Sequence, residues 1–327
     1  MSGQAGAPRA RYFSKEPKES LLIRFSTAAR KYWFIYLLAI PGLLFLLVFS
    51  YAPMYGVVLA FKDFKMNLGV MGSPWVGLYH YRELFADPAF IQAFKNTVII
   101  NIYNLIFGFT FNVFLALMIN ELQMKRLKSV VQTCVYLPYF LSWVIFAGLV
   151  QVFLQAPVPG DVGGVVNQVI QAMGGEPIDF MKRPEMFRGI LVITNIIKTA
   201  GYSTIIYLAA VAGVDPALYE AASIDGANRR DMLLHITIPR ILPSVAVMFL
   251  LSISQLFLSN FDQVYNLYNN FVLNTGDVLS AYIYRISLGG GEFELSTAAN
   301  LLLNVMGLIA LVVTNRFVKK LDVMGIF

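Results

Sequence analysis

Charged residues are scarce in this chain. Lys, Arg, Asp and Glu make up 13% of its 327 residues, against roughly 25% in a soluble domain. Together with 57% hydrophobic residues, that deficit excludes an ordinary water-soluble globule and makes lipid the solvent. Cysteine is almost missing: Cys134 is the single one, which excludes a disulfide framework and a thiolate metal cluster. The two histidines, His80 and His235, fall in segments expected on opposite faces of a membrane, so no histidine metal site is expected. No Gly-x-x-x-x-Gly-Lys-Ser/Thr loop occurs, so nucleotide chemistry must come from another chain. No Ser-His-Asp set or pair of carboxylates stands out either, and the chain is expected to be a conduit rather than an enzyme.

What is present is a series of long apolar runs. A helix needs about 20 predominantly apolar residues to cross the hydrocarbon core. Six segments qualify: Trp33–Phe61, Thr97–Ile119, Val130–Leu154, Gly189–Val214, Ser244–Leu258 with a polar extension, and Ala298–Val318. The expected fold class is therefore an all-α integral membrane protein of six transmembrane helices. The first run is overlong and holds Pro41 and Pro53, which predict a tilt or break near its far end. It starts late and has no small-residue cleavage site after it, so it is expected to be retained rather than cleaved as a signal peptide.

Six spans put both termini on one side, and the basic residues say which. Arg9, Arg11, Lys15, Lys18, Arg24, Arg30 and Lys31 lie in the N-terminal tail, and Lys125, Arg126 and Lys128 in the first inner loop. Arg229, Arg230 and Arg240 lie in the loop before the fifth span, and Arg316, Lys319 and Lys320 at the C-terminal end. These sixteen face eight on the other side, and Lys198 lies within a span. That asymmetry predicts cytoplasmic termini, so the net charge of +6 reports topology rather than affinity for nucleic acid. Residues 1–32 are expected to form a cytoplasmic tail, with Ser20–Ala29 either an interfacial helix or simply the start of the first span. Residues 33–327 form the membrane domain, with a cytoplasmic loop over 215–243. The long loops Lys62–Asn96, Gln155–Arg188 and Asn260–Thr297 either offer a surface to another protein or cap the bundle.

The loop before the fifth span is unusually polar for its surroundings. It contains EAASIDGANRRDMLLHITIP, Glu220 to Pro239. Asp215-Pro216 predicts a helix start and Gly226 a stop. Ala221, Ala222 and Ser223 leave the short helix nearly without knobs, so a partner groove can approach its backbone. MLLHITI supplies an apolar stripe, and Pro239 and Pro243 are expected to break the helix before the next span. The physics describes a short, rigid contact element outside the bilayer.

Glu220-Ala221-Ala222, three residues, Gly226, nine residues, then Ile236-Thr237-Ile238-Pro239 resembles the EAA loop of binding-protein-dependent ABC importer permeases, with Ile238 where the family has Leu. Gly77–Thr97, Leu137–Leu149 and Gly201–Val211 are similar to the sugar branch, and within it to alginate- or uronate-oligosaccharide permeases. The resemblance implies a type I importer permease subunit in a bacterial inner membrane, forming half of a path for an oligosaccharide. It implies a homologous second permease, two cytoplasmic ATP-hydrolysing subunits that hold the ATP and magnesium, and an extracytoplasmic solute-binding protein. It also implies that Glu220, Ala221, Ala222, Asp225 and Gly226 form the ATPase contact. This chain lacks the large extra outer domain of maltose-type partners.

Polar residues within spans are expensive against lipid and point to the path. Asn195, Lys198 and Tyr202 fall at i, i+3 and i+7 of the fourth span. Lys198 reads either as a cationic contact for an acidic sugar or as a salt-bridged or snorkelling side chain. Ser252, Gln255 and Ser259 of the fifth span, beside Trp143 or Tyr265, suit hydroxyl hydrogen bonding with aromatic stacking, or else helix–helix hydrogen bonds. Asn101, Asn104 and Asn112 carry the same two readings. An ion-coupled secondary transporter and a non-transporting scaffold are the competing functions. The first is disfavoured by the lack of an inverted repeat and by the few intramembrane acids.

Overall fold

A computed structural model of the chain describes residues 31–257 and 261–320. The expected tail, its candidate interfacial helix and Ser259 lie outside them, apart from Lys31 and Tyr32. The described chain is helical, with only two isolated bridges, Lys62–Trp75 and Val158–Asp161, outside helices and turns. Five helices among the described residues are long and apolar enough to cross a membrane, and a bent helix pair makes up to six when it is counted as one broken span.

The chain divides into two compact units, Met1–Gly56 and Val57–Phe327. In the first, α1 (Trp33–Leu46) carries Pro41 in its interior and buries no residue. Its regular winding gives way to a π turn at Leu47–Tyr51 and then to a 3-10 segment from Ala52. Pro53, with no N–H to give, accounts for the change of winding.

The second unit contains the other described helices. Helix α2 (Tyr79–Ala86) precedes α3 (Pro88–Tyr103), whose N-terminus is capped by Asp87 accepting from the Ala89 N–H at 2.8 Å. A π turn, Asn104–Gly108, joins α3 to α4 (Phe109–Glu121), so this span begins nine residues before the expected Thr97. The third span is where expectation and structure part. Val130–Leu154 is not one helix but two, α5 (Lys125–Phe140) and α6 (Trp143–Leu154), bent by 108°. Pro138 removes a donor from the last turn of α5, and the Ser142 hydroxyl accepts from the Ile145 N–H at 3.3 Å to start α6 afresh.

A short helix, α7 (Val165–Ala172), leads to the long α8 (Pro184–Ala212) and the loop helix α9 (Pro216–Ile224). The fifth span starts earlier than expected, because Pro239 and Pro243 do not break it. A turn at Arg229–Met232 passes through a π turn, Leu233–Thr237, directly into α10 (Ile238–Ser254). Pro239 occupies the first turn of α10, where a missing N–H costs least, and the π winding beneath it accommodates the ring. After α10 come α11 (Phe261–Leu267), α12 (Leu279–Tyr284) and α13 (Phe293–Lys320).

Of the two roles open to Asn260–Thr297, the described residues fit the cap. Val264, Leu267, Val272 and Val278 are buried with Ile100, Phe146, Phe187 and Leu191 in one core. Leu279, Tyr282 and Ile283 join Leu84, Phe90 and Leu303 in a second. Asn96, fully buried, pins this segment. Its amide donates to the carbonyls of Asn274 and Asp277 at 3.1 and 3.0 Å and accepts from Arg188 at 2.7 Å. Beside it the Thr97 hydroxyl accepts from the Leu279 N–H at 2.9 Å. Arg285 grips the Asp277 carboxylate with both arms, at 2.9 and 2.5 Å, and this hydrogen bonding raises the guanidinium above its ordinary value. Burial, reinforced by a hydrogen bond to Asp87, raises the Tyr282 phenol likewise.

Helix α8 packs against α3, α4 and α5. Lipid offers apolar side chains as good a home as protein does, so close approach of small residues is what brings helices together. Gly201 is the clearest case: a methyl there would lie 2.8 Å from both Tyr136 Cα and Val135 O of α5. Gly201→Val is expected to cost about 1–3 kcal/mol through overpacking. Gly189→Ala, on the same helix where a methyl meets nothing within 4 Å, should leave thermal unfolding in detergent unchanged.

Candidate functional site

The loop helix α9 is closed at both ends by its own residues. The Asp215 carboxylate accepts from the Ala217 N–H at 2.9 Å, with Pro216 in the first turn. At the other end Gly226 takes φ +81°, its N–H bonds to Ser223 O at 3.2 Å, and Ala227 N–H reaches back to Ala222 O at 2.9 Å. This paired closure needs a left-handed residue, which glycine adopts without strain. One residue later Asn228 starts the next turn with a reciprocal capping box. Its side chain accepts from Arg230 and Asp231 N–H, and the Asp231 carboxylate accepts from Asn228 N–H at 3.2 Å.

The loop is also anchored from beneath. The Tyr219 hydroxyl bonds the buried Thr237 hydroxyl at 2.9 Å, and Leu218, Tyr219 and Ile236 pack on Val211, Val214 and Ile241. Glu220, Ala221, Asp225 and Gly226 remain exposed and Ala222 is half-buried. Ile224, at 87% exposure, is a bare apolar side chain on the same short helix, one that the alanine-centred reading of this segment missed. The Asn-x-x-Asp spacing of the capping box was a legible signal, also missed.

The second feature lies within the bundle. A cavity of about 600 Å³ opens between α3, the π turn after it, α4, α8 and α10. Asn195 and Tyr202 line it, as do Ser252 and Gln255, the last two from the C-terminal end of α10. Asn101, Asn104 and Asn112 line the facing wall. Asn101 donates to Leu256 O at 2.5 Å. Both polar atoms of the Asn104 amide and the Asn112 carbonyl oxygen are buried and meet no partner among the described residues. Thr199, Ser203 and Ser254 complete the polar lining, and no charged side chain belongs to it.

Lys198 and Trp143 do not line this cavity. At i+3 from Asn195 the lysine lies on the flank of α8, and Thr199, at i+4, takes the cavity-facing place. Lys198 is 6% exposed. Its ammonium donates to the carbonyls of Leu141, Tyr139 and Pro138 at 2.6, 3.1 and 3.4 Å. Among the described residues no ion pair includes it. The Trp143 ring packs edge-on to Phe146, 5.7 Å between centroids, against the first core.

A bundle of this kind with a self-capped loop before its fifth span has counterparts of known family. The sequence profile described as "Binding-protein-dependent transport system inner membrane component" matches residues 108–323. The chain belongs to that family. This binding-protein-dependent permease is 40% identical over 324 residues to the polygalacturonan/rhamnogalacturonan transport system permease protein YteP of Bacillus subtilis strain 168, covering 99% of this chain and 98% of that one. It is 36% identical over 305 residues to the protein LplB of the same organism, covering 93% and 94%. Among solved structures it superposes on a chain of the bacterial alginate ABC transporter crystallised with its alginate pentasaccharide-bound periplasmic protein. The TM-score is 0.84 and the identity 37%, over 93% of this chain and 100% of that one. The permease is thus a multi-pass transport subunit of an ATP-driven importer and not an enzyme. An ion-coupled transporter and an inert scaffold are set aside on the same grounds.

The capping box yields a direct test. Asn228→Ala should loosen the turn by about 1 kcal/mol, seen as roughly fivefold faster amide exchange at Arg230 and Asp231, with global unfolding unchanged.

Proposed function

We propose that this permease forms one half of the path by which uronate-containing oligosaccharides enter the cell, the other half coming from a homologous second permease. The observation that carries the reading is the uncharged polar cavity, whose wall includes Asn104 and Asn112 with their buried, unpartnered amide atoms. Amides and hydroxyls exchange hydrogen bonds with sugar hydroxyls in any orientation, and unanswered buried ones gain most from a ligand that supplies partners. Asn195, Tyr202, Ser252 and Gln255 join them in this role, with Ser259 following in sequence. The relatives' names support the cargo class: one concerns polygalacturonan and rhamnogalacturonan, and another structure concerns import of the acidic polysaccharide alginate.

The motor is read from α9. Glu220, Ala221, Ala222, Asp225 and Gly226, joined by Ile224, form the face that enters a cleft on one of two cytoplasmic ATP-hydrolysing subunits, which hold the ATP and magnesium. The distribution of basic residues supports a bacterial inner-membrane orientation with both termini cytoplasmic. An extracytoplasmic binding protein then delivers the sugar from the other side, as the periplasmic partner of the alginate transporter suggests.

The test is ATP-dependent uptake by the reconstituted four-chain importer. Glu220→Lys and Gly226→Asp should assemble at normal levels yet lose uptake per ATP hydrolysed by on the order of tenfold; wild-type uptake in both removes the docking assignment. Asn104→Leu combined with Asn112→Leu should weaken uptake of oligogalacturonate or oligoalginate by about fivefold per lost hydrogen bond while ATP hydrolysis persists. Unchanged uptake kinetics would exclude the cavity from the path.

A further inference from the structure

We propose that Lys198 is a positioning residue that holds the break between α5 and α6 in a single geometry and so fixes one wall of the polar cavity, an inference that rests on the cavity being the path. The break creates a specific debt of hydrogen bonds. The last carbonyls of any helix lack intrahelical donors, and within a membrane no water stands ready to supply them. Here Leu141 and Ser142 are both extended, at φ −73° and −65°, so beyond the Leu141 N–H, which bonds Pro138 O at 3.3 Å, the backbone offers no further helical donors. Three carbonyls, of Pro138, Tyr139 and Leu141, converge instead on one side chain. An ammonium has three donors, and the number matches.

The lysine touches both halves of the break. Its Nζ lies 5.8 Å from the centroid of Tyr139, in the last turn of α5, and 5.3 Å from that of Trp143, the first residue of α6. Both are within the range of cation–π attraction. Gly201, one turn further along α8, lets the two helices approach closely enough for a side chain to span the gap. A positive charge at a helix C-terminus also answers the partial negative charge there, which accounts for an intramembrane lysine with no carboxylate beside it.

The consequence reaches the cavity through two rings. Tyr139 stacks on Tyr202, with centroids 5.2 Å apart and planes 15° from parallel, and Tyr202 lines the cavity. Lys198 thus sets Tyr139, and Tyr139 backs the cavity wall. A direct contact with an acidic sugar fits less well: the ammonium is buried, its donors are taken, and it is not part of the lining.

Nitroxide labels on Cys134, the chain's single cysteine and exposed, and on Val152→Cys, exposed on α6, report the angle of the break by their separation. The measurement is made in the assembled importer with partner cysteines replaced. Wild type and Lys198→Arg, which keeps donors and charge, should give one narrow distance distribution. Lys198→Met should broaden or shift it, and uptake of acidic and neutral oligosaccharides should fall by the same factor, about tenfold. A distribution unchanged in Lys198→Met overturns the proposal, as does a loss confined to acidic cargo at unchanged distance. If Lys198→Met fails to assemble, Lys198→Gln, with two donors, should broaden the distribution, and an unaltered one overturns the proposal equally. Absence of carbohydrate uptake by the wild-type complex would remove the cargo reading, while the distance measurement would still judge the lysine.

Discussion

A helix can end inside a membrane only where something other than water answers its last carbonyls, and in this permease the answer is a lysine ammonium. The rest of the bundle is arranged around that meeting. Helix α8 brings Lys198 to the break and presents Gly201 to α5 so that the two backbones nearly touch. On the adjoining face it turns Asn195, Thr199 and Tyr202 toward the cavity. One helix therefore holds the third span in its bent form and supplies a wall of the polar space. Were α5 and α6 a single straight rod, the carbonyls of Pro138, Tyr139 and Leu141 would accept from N–H groups four residues on and would not need the lysine.

The segment between α10 and α13 is held largely by neutral groups to the same purpose. Asn96 and Thr97 answer the turning backbone at Asn274, Asp277 and Leu279, while Arg285 neutralises Asp277. The segment between α10 and α13 is thereby drawn into the core, where Val264, Leu267 and Leu279 are buried. A loop by its composition becomes a structural layer once its backbone groups find partners.

Much of this was legible beforehand. Span count followed from apolar length, and the start and stop of α9 followed from Asp215-Pro216 and Gly226, because these are local rules needing only neighbours in sequence. Pro239 and Pro243 misled, since a π turn and surrounding helices absorb prolines that water would not forgive. The break at Leu141-Ser142 was hidden in plain text: Pro138 and Ser142 are a stop and a cap, but they sat inside an uninterrupted apolar run. At Lys198 the residue was singled out correctly and its partner was not, because three backbone carbonyls 57 to 60 positions away leave no mark in composition or spacing. The cavity face of α8 was similarly off by one residue, Thr199 for Lys198, a difference of a hundred degrees around the helix.

The closures at either end of α9 divide its residues into two populations. Asp215, Gly226, Asn228 and Asp231 spend their polar groups on the shape of the loop, while Glu220, Ser223 and Ile224 project from it with no structural duty of that kind. Side chains in the second group are free to change in step with a partner surface without disturbing the helix that carries them. The shape of the loop and the chemistry of its outer face can in this way vary independently of each other.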